Sequence, residues 1–297
     1  VNAGGGAATR LTSHPGNESH PAISPDGSTL AFTATYEGPA EVYTMPLAGG
    51  LPKRWTFDTD NALVVGWTPE GMLLHASRTR STLPSVQLFS IDLRTGRREV
   101  VPLAQASDGV FDQEGVTLFF VRLPFQGSHT KRYRGGTVQQ IWTFTPGSEA
   151  RPLTADHTGT SRDPMWWKSR VYFASDRDGT MNIWSMSSGG LDLKQHTRHS
   201  GWDVAGPSLS EGRIVYQLGA DLRIHTIATG DDSLLPITLD SDLDQTREHW
   251  ISKSIDYMTA SHISPHGDGV ALTVRGRVFV APHRQGRLAE AERKEGV

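Results

Sequence analysis

Residues 22–56 read AISPDGSTLAFTATYEGPAEVYTMPLAGGLPKRWT, and this pattern recurs about six times along the chain. It contains a short apolar strand, an Asp-Gly turn, a buried strand, a strand with an aromatic residue, a glycine turn and a polar outer strand. Self-similarity at a period of roughly 40–50 residues governs a fold, because each copy is one unit that packs against the next. The repeat is therefore the basis of the fold prediction.

Two kinds of landmark recur in phase along the copies. The third strand of each copy is marked by a bulky residue: Tyr43, Phe89, Trp142, Trp184, His225 and Phe279. A glycine follows between the third and fourth strands: Gly50, Gly96, Gly147, Gly190, Gly230 and Gly286. Glycine readily adopts the positive φ of tight hairpin turns, and no long stretch shows the 3.6-residue period of an amphipathic helix. The pattern predicts an all-β fold, a six-bladed β-propeller with four antiparallel strands per blade.

The 297-residue chain is predicted to form one propeller over residues 13–297, since closed all-β folds often reach this size as single domains. The predicted blades lie approximately at residues 20–58, 62–103, 106–154, 160–197, 202–239 and 256–297. Residues 1–12 are surplus, because Ala7–Thr12 resembles the fourth strands of other copies and the sixth copy already has a candidate fourth strand. We expect this segment either to pair into the last blade and close the ring, or to be the remnant of an upstream unit.

Composition argues against several classes of function. The net charge is −3, and lysine and arginine do not cluster into a basic stripe. Both features argue against nucleic-acid binding. No apolar run approaches the roughly 18 residues of a membrane span. The chain has no cysteine, so it has no disulfide framework, and this favours the cytoplasm with the periplasm as the alternative. No cofactor is predicted.

Specific stretches of the chain resemble a known family. The Ser-Pro-Asp-Gly repeat at residues 24–27 resembles the repeat of TolB-like propellers. The stretch Lys131–Thr137, followed by Ile141 and Trp142, is similar to a Tyr-Arg-Gly-Gly-Thr segment in the amino-terminal six-bladed propeller of the tricorn protease family. Residues 247–276 resemble the last blade of that domain, so the resemblance covers nearly the whole chain.

This resemblance implies a function. Tricorn proteases are large cytoplasmic serine peptidases that trim oligopeptides, and their propellers are discussed as routes for substrates and products. We therefore expect a non-catalytic domain of a tricorn-like hydrolase that guides oligopeptides and docks other domains or subunits. The family's catalytic residues lie in carboxyl-terminal domains without a counterpart here, so no catalytic residue is predicted in this chain. The alternatives are a free-standing TolB-like protein-interaction propeller and, less favoured, a metal-dependent propeller lyase.

The candidate binding residues are Lys131, Arg132, Tyr133 and Arg134, which form the most concentrated cationic loop of the chain. Guanidinium groups bind carboxylates through two parallel hydrogen bonds, which suits the carboxyl terminus of a peptide or a contact with another subunit. The alternative is a long solvated crossing between the second and third strands. We expect the insertion 124–136 to leave the propeller body and expose its basic side chains.

The sequence favours neither a metal site nor a nucleophilic serine. The chain has 12 histidines, including the closely spaced pairs His196/His199 and His262/His266. Neither pair lies on a predicted helix, which would bring its two side chains together. These histidines are therefore interpreted as turn and surface residues, and no metal site is predicted. The Gly-x-Ser-x-Gly elbow of serine hydrolases is absent, and residues 206–210 come nearest to it.

Charged pairs and tryptophans are interpreted as structural residues. The pairs Arg162-Asp163 and Trp202-Asp203 are interpreted as strand-end capping groups. Large aromatic side chains fill the widening space between neighbouring blades, so the tryptophans are predicted to pack there.

Overall fold

The structure is a computed structural model that describes residues 1–58, 60–124, 133–239, 253–274 and 276–291. The chain divides into two compact units, Val1–Leu239 and Asp240–Val297. Within the described ranges the one helical element is a single 3₁₀ turn, Ser254–Tyr257, and all other regular structure is β. No helix in these ranges is long and apolar enough to cross a membrane.

The described part of the larger unit contains five four-stranded antiparallel sheets, whose strands follow one another in chain order. A short strand, β1 (Gly6–Ala8), precedes them. The sheets are: sheet I, β2 (Glu18–Ile23), β3 (Thr29–Ala34), β4 (Glu41–Pro46) and β5 (Lys53–Arg54); sheet II, β6 (Ala62–Trp67), β7 (Leu73–Ser77), β8 (Gln87–Ile91) and β9 (Arg98–Val100); sheet III, β10 (Asp108–Phe111), β11 (Leu118–Val121), β12 (Ile141–Phe144) and β13 (Arg151–Pro152); sheet IV, β14 (Ser161–Trp167), β15 (Arg170–Ser175), β16 (Asn182–Ser187) and β17 (Lys194–Gln195); and sheet V, β18 (Val204–Ser210), β19 (Arg213–Leu218), β20 (Asp221–Thr226) and β21 (Asp232–Leu234).

The chain leaves sheet V through β22 (Ile237–Leu239). The described residues of the smaller unit form sheet VI, which has the same antiparallel order. Its strands are β23 (Met258–Ile263), β24 (Gly269–Val274), β25 (Arg277–Pro282) and β26 (Ala289–Glu290). Six four-stranded antiparallel sheets in the described residues confirm the predicted all-β propeller architecture.

The hairpin turns match the turn residues in the sequence. Sheet IV, which lacks the Asp-Gly turn of the first copy, joins β14 to β15 through Lys168 and Ser169, with φ of 45° and 63°. Both central residues have positive φ, as in the type I′ turns that suit the twist of antiparallel strands. Trp167 and Arg170 pair directly across this turn.

The core of the larger unit lies between consecutive sheets. Val42 of sheet I packs with Leu73 of sheet II, and Phe119 of sheet III packs with Phe173 of sheet IV. Similar clusters join sheets II and III and sheets IV and V. Each such side chain is fully buried and contributes about 1.5–3 kcal/mol through removal from water. Sheets I to V therefore pack face to face in chain order, as propeller blades do.

Most tryptophans occupy these seams, as predicted. Six of them pack against the clusters between sheets: Trp55, Trp67, Trp142, Trp166, Trp167 and Trp184. Trp202 departs from the prediction, because it lies in the crossing loop before β18, where its ring rests against Gly219 and remains 68% exposed. Trp250 lies outside the described residues.

The first strand of a sheet is irregular in five of the six sheets described. A register shift interrupts the pairing of β2, β6, β14, β18 and β23 with the following strand. In three of these strands the shift includes a residue with positive φ just before a proline: His20, Asp163 and Gly206. Proline cannot donate to the ladder, so an irregularity at these positions is expected.

The amino-terminal segment has a partner that was not foreseen. Strand β1 pairs in parallel with β22, with Gly6 opposite Ile237 and Ala8 opposite Leu239. The backbone N–H of Gly6 also donates to the carbonyl of Pro236 at 2.8 Å. The residues before sheet I therefore contact the residues that follow sheet V, and we call this pairing the clasp.

Candidate functional site

The candidate site lies in the long connection between β11 and β12 of sheet III, at residues 122–140. Two of the four predicted binding residues, Lys131 and Arg132, lie outside the described residues. The other two, Tyr133 and Arg134, are described, and both side chains are exposed. The binding role assigned to these four residues stays a prediction.

The end of this insertion is locally ordered by Tyr133. Its hydroxyl accepts a hydrogen bond from Thr137 Oγ1 at 3.0 Å. The phenol ring also covers Gly135 so closely that a Cβ at that position would displace the Tyr133 ring. Among the described residues Arg134 forms no ion pair, so its guanidinium group presents its charge to solvent.

A cleft of about 180 Å³ opens beside this segment. Its polar wall is Arg122, whose guanidinium carbon lies 4.9 Å from the centre of the Trp142 ring. Arg122 Nη2 also donates to Gln105 Oε1 at 2.6 Å. At the base of the insertion, Gln139 Nε2 donates to the carbonyl of Leu123 at 3.0 Å. The cleft therefore combines an oriented guanidinium group with an aromatic face.

The same edge of two other sheets shows what is unusual about Arg122. In sheet II, Arg78 follows the second strand and donates to Asp60, the carboxylate in the preceding crossing loop, at 2.8 Å. In sheet IV, Arg177 donates to Asp156 in the corresponding loop at 2.7 Å. In sheet III the crossing-loop partner is the neutral Gln105.

Arg122 thus keeps its positive charge, whereas the arginines that follow the second strands of sheets II and IV share theirs with a carboxylate. A carboxylate ligand could supply the missing negative charge through the paired hydrogen bonds that guanidinium groups form. Sequence reasoning missed Arg122 and Gln105. The available signal was an arginine directly after the buried LFFV strand at residues 118–121, facing a crossing loop without an acidic residue.

A second group of charges lies on the first strands of sheets III and IV. Burial, together with the negative charge of Asp163, raises the pKa of Asp108 to about 7. The pKa of Asp163 is also raised by burial, while Arg162, 3.5 Å away through Nε, opposes this shift. The strand-end interpretation of Arg162 and Asp163 was wrong, because Asp163 lies inside β14 at its register shift. The strand-end interpretation is supported for Asp203, which directly precedes β18. Its Oδ1 accepts a hydrogen bond from the backbone N–H of Met181.

The histidines of sheets IV and V are structural. His196 bonds Ser185 Oγ through Nε2 at 2.8 Å, and its ring contacts that of His225 at 5.7 Å. His199 Nε2 lies 2.7 Å from the hydroxyl of Tyr216. The surface interpretation of His196 and His199 was therefore wrong, because both are partly buried where sheets IV and V meet. Within the described ranges no three His, Asp or Glu side chains are placed to hold a metal ion.

Comparison with known proteins gives a consistent result at the level of sequence. Residues 1–231 match the family model described as the tricorn protease N-terminal β-propeller domain. The tricorn protease homolog of Saccharolobus solfataricus is 25% identical over 296 residues, which cover 97% of this chain and 27% of that protein. The N-terminal subunit of a tricorn-like protease from Sulfurisphaera tokodaii is 27% identical over 136 residues, covering 43% of this chain and 67% of that subunit. The chain thus spans about a quarter of the length of the first of these relatives.

Solved structures agree with the fold. The crystal structure of the tricorn protease superposes with a TM-score of 0.75 and 22% identity, covering 94% of this chain and 28% of that one. A TolB from Agrobacterium tumefaciens superposes with a TM-score of 0.60 and 19% identity, covering 76% of this chain and 82% of that one. At these identities the superpositions establish the β-propeller fold alone.

Proposed function

Because this chain belongs to the tricorn protease N-terminal β-propeller family, we propose that it guides oligopeptides and docks other domains or subunits of a tricorn-like serine peptidase. The role is non-catalytic, and peptide cleavage is assigned to residues outside this chain. The cleft beside the sheet III insertion is the proposed contact for the peptide. The binding role predicted from the sequence for Lys131, Arg132, Tyr133 and Arg134 is part of the same proposal. The proposed location is the cytoplasm, which the absence of cysteine favours.

One observation carries the peptide-binding part of this proposal. Arg122 faces Gln105, whereas the arginines at the same edge of sheets II and IV face Asp60 and Asp156. Each of those carboxylates lowers the net charge that its arginine offers to a ligand. The carboxyl terminus of an oligopeptide is an anion that every substrate or product of a peptidase carries, so a sequence-independent peptide contact would use it.

The test compares two forms of one peptide. Acetyl-Ala-Ala-Leu-Ala with a free carboxyl terminus should bind the full chain roughly tenfold more tightly than its carboxyl-terminal amide, because the amide removes one charge-assisted contact. Isothermal titration calorimetry at low ionic strength measures both affinities. The variants Arg122→Gln and Gln105→Glu should abolish this preference, the first by removing the guanidinium group and the second by supplying the carboxylate that sheets II and IV already have.

Arg177→Gln is the matched control, because its guanidinium group is paired with Asp156 and should leave the preference unchanged. Equal binding of the acid and the amide would contradict the carboxylate contact. It would favour the alternative, a free-standing protein-interaction propeller, which the superposition on 82% of a TolB chain motivates. The alternative is tested by the capture of a folded protein partner whose binding is insensitive to Gln105→Glu.

A further inference from the structure

A second cleft lies at the opposite ends of β11 and β12 from the insertion. Its volume is about 250 Å³. It is lined by side chains of sheet III and by one turn of sheet IV: Thr117, Thr143, Thr145, Ser148, Glu149, Arg151, Ser188 and Gly189. The lining is rich in hydroxyl groups and holds one carboxylate and one guanidinium group. We call it the turn cleft.

The equivalent place in sheet IV is filled by an arginine of the chain itself. Arg170 begins β15, and its Nε donates to Ser185 Oγ at 3.1 Å. Its Nη1 donates to Asp192 Oδ2 and its Nη2 to the carbonyl of Asp192, both at 2.6 Å. One guanidinium group thus joins a hydroxyl of the third strand to a carboxylate of the turn that follows it.

The strand registers identify the equivalent residues in sheet III. Phe119 pairs with Thr143 as Tyr172 pairs with Ser185, so Thr143 takes the position of Ser185. Thr117 lies two residues before Phe119, and Arg170 lies two residues before Tyr172. Thr117 therefore takes the position of Arg170.

The acidic residue of the turn is also conserved in position between the two sheets. Arg151 pairs with Thr143 as Lys194 pairs with Ser185. Two residues before each of these basic residues, Glu149 takes the position of Asp192.

Sheet III therefore keeps the acceptors and lacks the arginine. Among the described residues Glu149 forms no ion pair and the Thr143 hydroxyl forms no hydrogen bond, whereas Asp192 and Ser185 are both bonded by Arg170. The short side chain of Thr117 leaves open the volume that Arg170 fills in sheet IV. Arg151 leaves room for a second cation beside Glu149. In sheet IV its equivalent, Lys194, lies 3.5 Å from the Asp192 carboxylate, which also binds Arg170.

We propose that the turn cleft binds the arginine side chain of another polypeptide, with its guanidinium group between the Glu149 carboxylate and the Thr143 hydroxyl. The hydrogen bonds are those that Arg170 makes in sheet IV. The planar fork of a guanidinium group suits two acceptors held at fixed positions better than the compact ammonium group of lysine does. This site is separate from the carboxylate contact at the other end of the same strands, and it does not depend on the proposed function.

The probe is acetyl-Gly-Arg-Gly-amide, whose blocked ends remove the carboxylate that the cleft beside the insertion would recognise. We expect the full chain to bind it with an affinity of order millimolar, as suits a single side chain, and to bind the lysine and citrulline analogues at least several-fold more weakly. Two-dimensional NMR titration measures these affinities and maps the shifted amides to residues 143–151 and 187–190. Equal affinity for the arginine and citrulline peptides, or shifts elsewhere, would overturn the proposal.

Two variants and a control sharpen the test. Glu149→Gln should weaken binding of the arginine peptide roughly tenfold, because a charge-assisted hydrogen bond is lost. Thr117→Arg should abolish binding by supplying the missing side chain from within, and its melting temperature should equal or exceed that of the unmodified chain. Glu114→Gln, in an exposed turn of the same sheet, should change nothing. A Thr117→Arg variant that folds and still binds the peptide fully would show that the arginine does not occupy this cleft.

Discussion

At the scale of single residues, we expect two histidines inside the sheets to make the chain sensitive to acid. Burial, followed by the positive charge of Arg98, lowers the pKa of His75 to about 3. Burial also lowers the pKa of His196 to about 4, and nearby positive charges, with that of His225 the largest, add to this shift. In both cases the neutral ring is the form that the packed sheets accept, since burial without a full set of partners penalises the charged form.

The contribution of His196 to this acid sensitivity can be tested directly. The pKa of His196 in the folded chain lies below the ordinary histidine value of 6.5, so the unfolded chain takes up a proton first as the pH falls. The stability that His196 contributes is therefore fully present above about pH 6.5 and is lost progressively between pH 6.5 and about pH 4. Melting temperatures at pH 7.5, 5.5 and 4.5 should show this decline.

His196→Gln should reduce the decline, because glutamine can still bond Ser185 but does not take up a proton in this range. The control His266→Gln replaces an exposed turn histidine and should decline like the unmodified chain. If His196→Gln loses as much stability towards pH 4.5 as the unmodified chain does, the acid sensitivity lies elsewhere.

At the scale of strands, a buried threonine anchors the outer strand in three sheets. Thr56, Thr154 and Thr197 follow the fourth strands of sheets I, III and IV and are at most 3% exposed. Each hydroxyl accepts a backbone N–H from the third strand, at 2.9 to 3.0 Å. The outer strands β5, β13 and β17 are only two residues long, so this side-chain bond extends a ladder that would otherwise end early.

Thr154→Val tests this anchor. The valine keeps the shape of the side chain but leaves the N–H of Ile141 buried without a partner, so the free energy of unfolding should fall by roughly 1–3 kcal/mol. Urea denaturation measures this change. Thr9→Val, at an exposed position, should change it by less than about 0.5 kcal/mol. A similar result for both variants would mean that the hydroxyl bond contributes little.

The elements also show where sequence reasoning succeeds and where it stops. Alternating apolar residues and turn residues predicted the strands, and each of the six sheets described does contain four antiparallel strands in chain order. The left-handed backbone of Asp163 was not foreseen, because its position is decided by the pairing of β14 with β15 and not by local preference. The partners of Arg122, Arg78 and Arg177 were likewise not foreseen, because they are set by how each crossing loop lies against the end of the second strand.

At the scale of the whole larger unit, the clasp joins residues distant in sequence. Gly5, with φ of 89°, precedes β1 and lies against Pro236, where a Cβ would clash with the proline carbonyl oxygen. Only glycine fits this approach without strain. A pairing of three residues between Gly-Ala-Ala and Ile-Thr-Leu carries no pattern that sequence reasoning could have recognised, so the predicted partners of the amino-terminal segment did not include β22.

Gly5→Ala should open the clasp while leaving the sheets intact. Hydrogen exchange at residues 6–8 and 237–239 should become faster, and exchange within β3, β11 and β15 should stay as it was. Gly4→Ala is the matched control, because a Cβ there meets no atom within 4 Å. Unchanged exchange in the Gly5→Ala chain would show that the side chain is accommodated without loss of the β1–β22 pairing.

The clasp also has a consequence for how the chain is made. Strand β1 leaves the ribosome about 230 residues before β22, which at 5–20 residues per second is a delay of roughly ten to fifty seconds. Each four-stranded sheet can form in that time from neighbouring hairpins, whereas β1 must wait with its backbone unpaired. Its sequence, Gly-Ala-Ala, is short and only weakly apolar. The unpaired strand is therefore a poor template for aggregation with a neighbouring nascent chain. Although it is synthesised before sheets I to V, β1 thus finds its partner only after their strands have been made.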